Sequence, residues 1–141
     1  MFDCLDIKAV RSLPVITVSN VLKMVIRELA PPLIGEDSVK ELLGANALTT
    51  ESEKFTRMKS VLQLDSTKYN CLTAILLHLR RIAENSKVNL MTVENLAVVF
   101  SPSLLPTTSS FQHLEPLDAI RAAAEENNVK CQVIALLIKA V

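Results

Sequence analysis

The chain has 141 residues, about half of them apolar and a fifth charged. That balance supplies one sizeable core, leaves no room for two, and excludes a disordered composition. Fifteen basic and fifteen acidic residues cancel, so no long-range field draws the chain to nucleic acid or to an anionic membrane, and a charged partner has to be met by a local patch.

Aromatic residues are scarce, with no Trp, one Tyr and four Phe. The core must then be built from Leu, Ile, Val and Ala, which suits helices packed on helices. Cys4, Cys71 and Cys131 lie far apart and have no metal-ligand spacing. An odd count without a secretory signal is expected of reduced thiols in a cytoplasmic protein. Cys71 and Cys131 fall in apolar helical runs, where a thiol is expected to be buried as a small hydrophobe. The longest apolar runs, such as 133–138, are far shorter than the ~20 residues of a membrane span, so no direct insertion is expected.

Helical periodicity recurs along the whole chain, and no alternating run bounded by turn residues suggests a strand. The first helix is predicted over about 17–29. Val18, Val21, Leu22, Val25, Ile26 and Leu29 make its apolar stripe, Ser19, Lys23 and Arg27 fall opposite, and Pro31-Pro32 ends it. A short helix over 37–43 should stop at Gly44, a natural C-cap residue. The next, over about 50–64, starts with Thr50 and Glu53 at capping-box spacing and turns Phe55, Met58, Val61 and Leu62 inward. The strongest pattern covers 66–85, where Tyr69, Leu72, Ile75, Leu76, Leu79, Ile82 and Ala83 form a continuous stripe behind a cap at Asp65 or Ser66. Thr92 caps a helix over 93–100 that the Ser101-Pro102 pair should close. A Ser/Thr/Pro-rich loop follows over 103–112, then helices over about 116–127 and 129–140. The expected architecture is an all-α bundle of about six to seven helices.

Two constellations could carry binding. Lys23 and Arg27, four residues apart, project side by side from one helix face, a two-pronged cationic site suited to an acidic surface. On pattern alone an ordinary solvated face is the commoner origin of such a pair. Asn95 sits in Val93-Glu94-Asn95-Leu96-Ala97-Val98-Val99-Phe100, a helix apolar almost all round and so expected to be largely buried. An unpaired buried amide costs roughly 1–3 kcal/mol; Asn95 must reach a surface or bond locally near the helix start. His78 and His113 stand apart from any nucleophile or carboxylate at motif spacing and read as solvated. A Gly-rich phosphate loop, GxSxG, HExxH and CxxC are all missing, so no cofactor or metal is expected.

These segments resemble a known family. Val21-Leu22-Lys23-Met24-Val25-Ile26-Arg27-Glu28-Leu29, with Pro32-Leu33, is similar to the LLK-x-x-LREL-P-x-PL helix of RhoGAP domains, the all-helical activators of Rho, Rac and related GTPases. Residues 89–105, Asn-Leu-Met-Thr-Val-Glu-Asn-Leu-Ala-Val-Val-Phe-Ser-Pro-Ser-Leu-Leu, are similar to that family's NKMT-x-x-NLA-x-x-F-x-P-x-LL stretch. Leu76-Leu77-His78-Leu79 matches its LL-x-HL helix between them. The resemblance covers nearly the whole chain, read as a partial domain, the C-terminal two-thirds. It implies that Lys23, Arg27 and Asn95 line a shallow face for a Rho- or Rac-type small GTPase, and that the partner brings the GTP.

The departures bear on mechanism. The family inserts an arginine finger from a GxxR loop upstream of the Lys-Arg helix, an effect worth roughly 10³–10⁵ in rate. Only twenty-two residues precede Lys23; they hold one arginine, Arg11, and no glycine. The resemblance therefore implies that the first helices and the finger are lacking, so no catalytic residue is assigned. Smaller departures are Ala30-Pro31, Leu90 in place of Lys and Ser101 in place of Gly. Three functions remain open: an activator whose finger lies outside this chain, a finger-less interaction module, and a helical domain with no GTPase role. Loss of the upstream helices should also strip cover from apolar faces, so marginal stability, or association with itself or with a missing segment, is expected.

Overall fold

The computed structural model describes residues 7–63, 65–107, 111 and 113–141, and among them the regular elements are all helices. In order they are α1 (Ile7–Arg11), α2 (Val15–Glu28), α3 (Glu36–Ala45), α4 (Glu51–Leu62), α5 (Ser66–Glu84), α6 (Ser86–Asn89), α7 (Val93–Leu104) and α8 (Pro116–Ala140). The all-α expectation holds, with eight helices among the described residues. None is long and apolar enough to cross a membrane.

Local chemistry sets most of the starts. At α4, Thr50 Oγ1 accepts from the Glu53 amide at 3.2 Å, and the Glu53 carboxylate accepts from the Thr50 amide at 3.2 Å. This completes the capping box. Asp65 Oδ1 accepts from the amides of Thr67 and Lys68 at the head of α5. Thr92 Oγ1 accepts from the Asn95 amide at the head of α7. Each such cap stabilises its helix by about 1 kcal/mol.

The ends differ from the sequence pattern in three places. Gly44 lies inside α3, which runs on to Ala45 and finishes at Asn46 in an ordinary right-handed conformation; the helix thus bypasses the left-handed glycine cap. Pro102 does not close α7 but sits inside it. Proline removes one donor, toward the carbonyl four residues back. That carbonyl belongs to Val98, whose residue is exposed, as is Pro102, while Ser101, Ser103, Leu104 and Leu105 are buried. Burial on the far side therefore carries the helix past the proline. The helices expected over 116–127 and 129–140 are one, α8. Asn127 and Asn128 lower helix propensity by tenths of a kcal/mol, too little to break a helix whose next turns bury Val133, Ile134, Leu137 and Ile138.

The second half of α8 is the axis of the core: α3, α4, α5 and α7 all pack on this helix. Val39 and Leu42 come from α3, Met58 and Val61 from α4, Leu72, Leu76 and Leu79 from α5, and Leu96, Phe100 and Leu104 from α7. Burying each of these side chains contributes about 1.5–3 kcal/mol. Lys130 is buried too, with Nζ 2.6 Å from the Glu126 carboxylate one turn earlier.

Cys71 does not follow the expectation of burial. The buried stripe of α5 runs through Leu72, Leu76 and Leu79, which leaves Cys71 exposed one position away. Cys131 is half-buried, its Sγ 3.3 Å from Ser101 Oγ. Cys4 lies outside the described residues.

The N-terminal helices sit on one side of this body. α2 packs on α7, yet Ile26 is its one buried residue. Val15 and Ile16 are 83% and 76% exposed, and Val21, Met24, Val25 and Leu29 are exposed as well. α7, expected to be largely buried, likewise leaves Val98 and Val99 open.

Candidate functional site

The residues singled out by sequence lie on the two helices that form this contact. Lys23 and Arg27 occupy successive turns of α2, Lys23 half-buried and Arg27 exposed. Among the described residues neither forms an ion pair or a side-chain hydrogen bond. Two cations without an intramolecular counter-charge keep their full field for an incoming acidic group. Asn95, in the first turn of α7, is exposed. α2 and α7 pack together, and none of the three side chains is walled off from solvent.

Asn95 meets both requirements set by its apolar helix. It reaches the surface, and its Nδ2 donates to the Leu90 carbonyl at 3.1 Å. That bond ties α7 back to the turn before it. The turn is held on its other side by Asn89, whose Nδ2 donates to the Ile82 carbonyl of α5 at 2.8 Å and whose Oδ1 accepts from the Met91 amide at 2.8 Å. Leu90, between them, has φ 59° and ψ 15°, the one positive φ at a non-glycine among the described residues. A left-handed conformation costs a leucine roughly 1–2 kcal/mol. The sequence offered no signal for this turn, because Gly or Asn is the residue expected there.

Glu94, beside Asn95, points its charge at α8. Its carboxylate lies 3.0 Å from Lys139 Nζ, and the hydrogen bond from Lys139 holds its pKa below the ordinary carboxylate value. The acid next to Asn95 is thus matched by its own cation, which leaves Lys23 and Arg27, among the described residues, as the unpaired cations on these two helices, with Glu28 at the end of α2 as the unpaired acid.

An apolar groove of about 500 Å³ opens beside them between α1, α2, α5 and α7, lined by Val10, Leu13, Val18, Leu22, Leu96 and Phe100 among others. Arg11, at the end of α1, and His78, exposed on α5, stand on its wall. His113 is also exposed. No group of three or more His, Cys, Asp or Glu among the described residues could hold a metal ion. Among the described residues the arrangement offers charge, an amide and apolar surface.

Comparison with known proteins gives the family. The RhoGAP domain model matches residues 2–109. The GTPase-activating protein pac-1 of Caenorhabditis elegans is 33% identical over 110 residues, 74% of this chain and 7% of that protein. Beta-chimaerin of Mus musculus is 32% identical over 89 residues, 62% of this chain and 27% of its own length. The chain thus spans a small part of these curated relatives. Among solved structures, the BH domain from GRAF, the GTPase regulator associated with focal adhesion kinase, superposes with a TM-score of 0.75 at 29% identity, covering 90% of this chain and 64% of that one. With its helix order, its α2–α7 contact and a family model that takes in both motif segments, this chain belongs to the RhoGAP domain family.

Proposed function

We propose that the chain docks a Rho- or Rac-type small GTPase through Lys23, Arg27 and Asn95, and that it promotes GTP hydrolysis weakly because it carries no arginine finger of its own. The observation that carries this reading is the pair of unpaired cations on the helix that packs against the one bearing Asn95. Such a plate suits an acidic partner surface and would meet it without prior breaking of ion pairs.

The rate expectation follows from charge. Phosphoryl transfer is catalysed by positioning and by neutralising charge on the transferred group, and the finger supplies roughly 10³–10⁵ of the acceleration. Arg11, the one arginine ahead of Lys23, ends a short helix and lines an apolar groove. It lacks the glycine-bearing loop that would let it swing into a partner. What remains is the ordering of the GTPase's own water-positioning residue, a smaller effect. That same lack favours the second reading, an interaction module that binds without activating.

Single-turnover GTP hydrolysis by Rho-type and Rac-type GTPases tests the rate. The expected acceleration is below about a hundredfold; a larger one would approach what a finger supplies and would overturn the inference that none is present. Binding to the GTPase loaded with GDP and aluminium fluoride tests docking. Lys23→Ala with Arg27→Ala should weaken it at least tenfold. Unchanged binding in that double variant would leave a helical domain with no GTPase role.

A further inference from the structure

Leu90 combines three properties that work against one another in an isolated domain. It holds a left-handed backbone, which a leucine adopts at a cost and a glycine or asparagine adopts freely. Its side chain is 75% exposed, so no packing inside the chain offsets that cost. Its turn is also fixed from both flanks, by Asn89 bonding to Ile82 and Met91 and by Asn95 bonding to the Leu90 carbonyl. Val88, two residues earlier, is 87% exposed.

A strained residue persists where its surroundings over-determine it, and such residues gather at binding sites. Here the strain holds out an apolar side chain, and the amide that locks it belongs to a residue of the docking plate. We infer that Leu90 is a specificity-determining contact of the GTPase-binding face, an apolar knob held out by Asn95 that selects partners with an apolar rather than an acidic surface opposite it. The inference rests on the docking reading above. It also divides the role of Asn95. One amide proton is committed to the Leu90 carbonyl, which makes Asn95 a positioning residue for Leu90 as well as a contact through its remaining polar atoms. The related family pattern carries lysine at this place, and the same backbone would then present a cation. The exchange of lysine for leucine changes the chemistry asked of the partner while leaving Lys23 and Arg27 to supply the general attraction.

Binding of the full chain to a panel of Rho- and Rac-type GTPases loaded with GDP and aluminium fluoride tests this, together with thermal unfolding of each variant. Leu90→Asn suits the left-handed backbone, so its melting temperature should hold or rise, while affinity for the preferred GTPase falls about tenfold. Leu90→Lys serves as a second variant. It should re-rank the panel toward GTPases with an acidic residue opposite, a change that a merely structural role would not produce. If Leu90→Asn and Leu90→Lys bind every GTPase as the native chain does, while Lys23→Ala with Arg27→Ala loses binding, the knob is overturned and the docking reading stands. If the native chain binds none of the panel, both fall together.

Discussion

The two sides of the molecule both carry apolar helix faces and are opposite in burial. Around α8, Val39, Leu42, Met58, Leu79, Leu105, Val133, Ile134 and Ile138 are wholly enclosed. On α2, five apolar residues fall at helical spacing and one, Ile26, is buried, while Val15 and Ile16 ahead of them stand almost bare. Helical periodicity tells which face of a helix is apolar; whether another element covers that face is a matter of the whole fold. The helix that carries Lys23 and Arg27 packs on the helix that carries Asn95, where the open side meets the closed one.

The sharpest way to break this comparison is to cut side chains on each side. Ile134→Ala or Leu42→Ala should cost about 2–5 kcal/mol, the lost transfer energy plus the cavity left behind. That is a large share of the ~5–15 kcal/mol a domain has in total, and urea unfolding would show it as a lowered midpoint. Ile16→Ala on the open side should stay within about 0.5 kcal/mol, since little burial is lost. Equal effects would mean that the open side is covered in solution. A loss comparable to the core truncations, about 3 kcal/mol, is expected for Lys130→Ala, which removes the buried ammonium 2.6 Å from the Glu126 carboxylate. Lys130→Met, which keeps the volume, should cost less.

A third test addresses what the open side does when alone. Contiguous exposed apolar surface of more than a few hundred Å² is unusual on a soluble monomer, so the chain should associate with itself as concentration rises in sedimentation velocity. Val15→Ser with Ile16→Ser should weaken that association without lowering the unfolding midpoint. A monomer that unfolds reversibly at a high temperature would count against it.

The sequence was most legible where one local interaction decides the outcome. Thr50 with Glu53, Asp65, and Thr92 each form the cap their spacing implied, because a side chain and an amide three residues apart need nothing else to meet. It was least legible where distant packing overrides a local preference. Pro102 stays within α7 and Asn127-Asn128 within α8 because buried residues beyond them hold the helix together. Cys71 missed burial by a single position, since it falls in an apolar run but beside the stripe of Leu72, Leu76 and Leu79 that the fold covers. At the candidate site the three residues were named from their types and from the family resemblance, whereas the turn that links Asn95 to Leu90 depends on a backbone conformation that a leucine codon gives no reason to expect.

The smallest effect lies on the strut between the two sides. Glu94 of α7 is held by Lys139 of α8 at 3.0 Å, and the hydrogen bond from Lys139 lowers the Glu94 pKa from its ordinary 4.5. A carboxylate whose pKa is depressed on folding adds stability above its unfolded value and loses it as pH falls through the folded one. Both side chains are more than half exposed, so solvent screening keeps the contribution below about 0.5 kcal/mol. Glu94→Gln should therefore be slightly less stable than the native chain at pH 7, and the gap should close as pH falls below the ordinary carboxylate value and through the lowered one. Raising the salt concentration should narrow it as well, since an exposed pair is screened within a Debye length of about 10 Å at 0.1 M. A gap that persists at pH 3 would show that Glu94 steadies α7 by packing rather than by charge, and would place the strut with the closed side of the molecule.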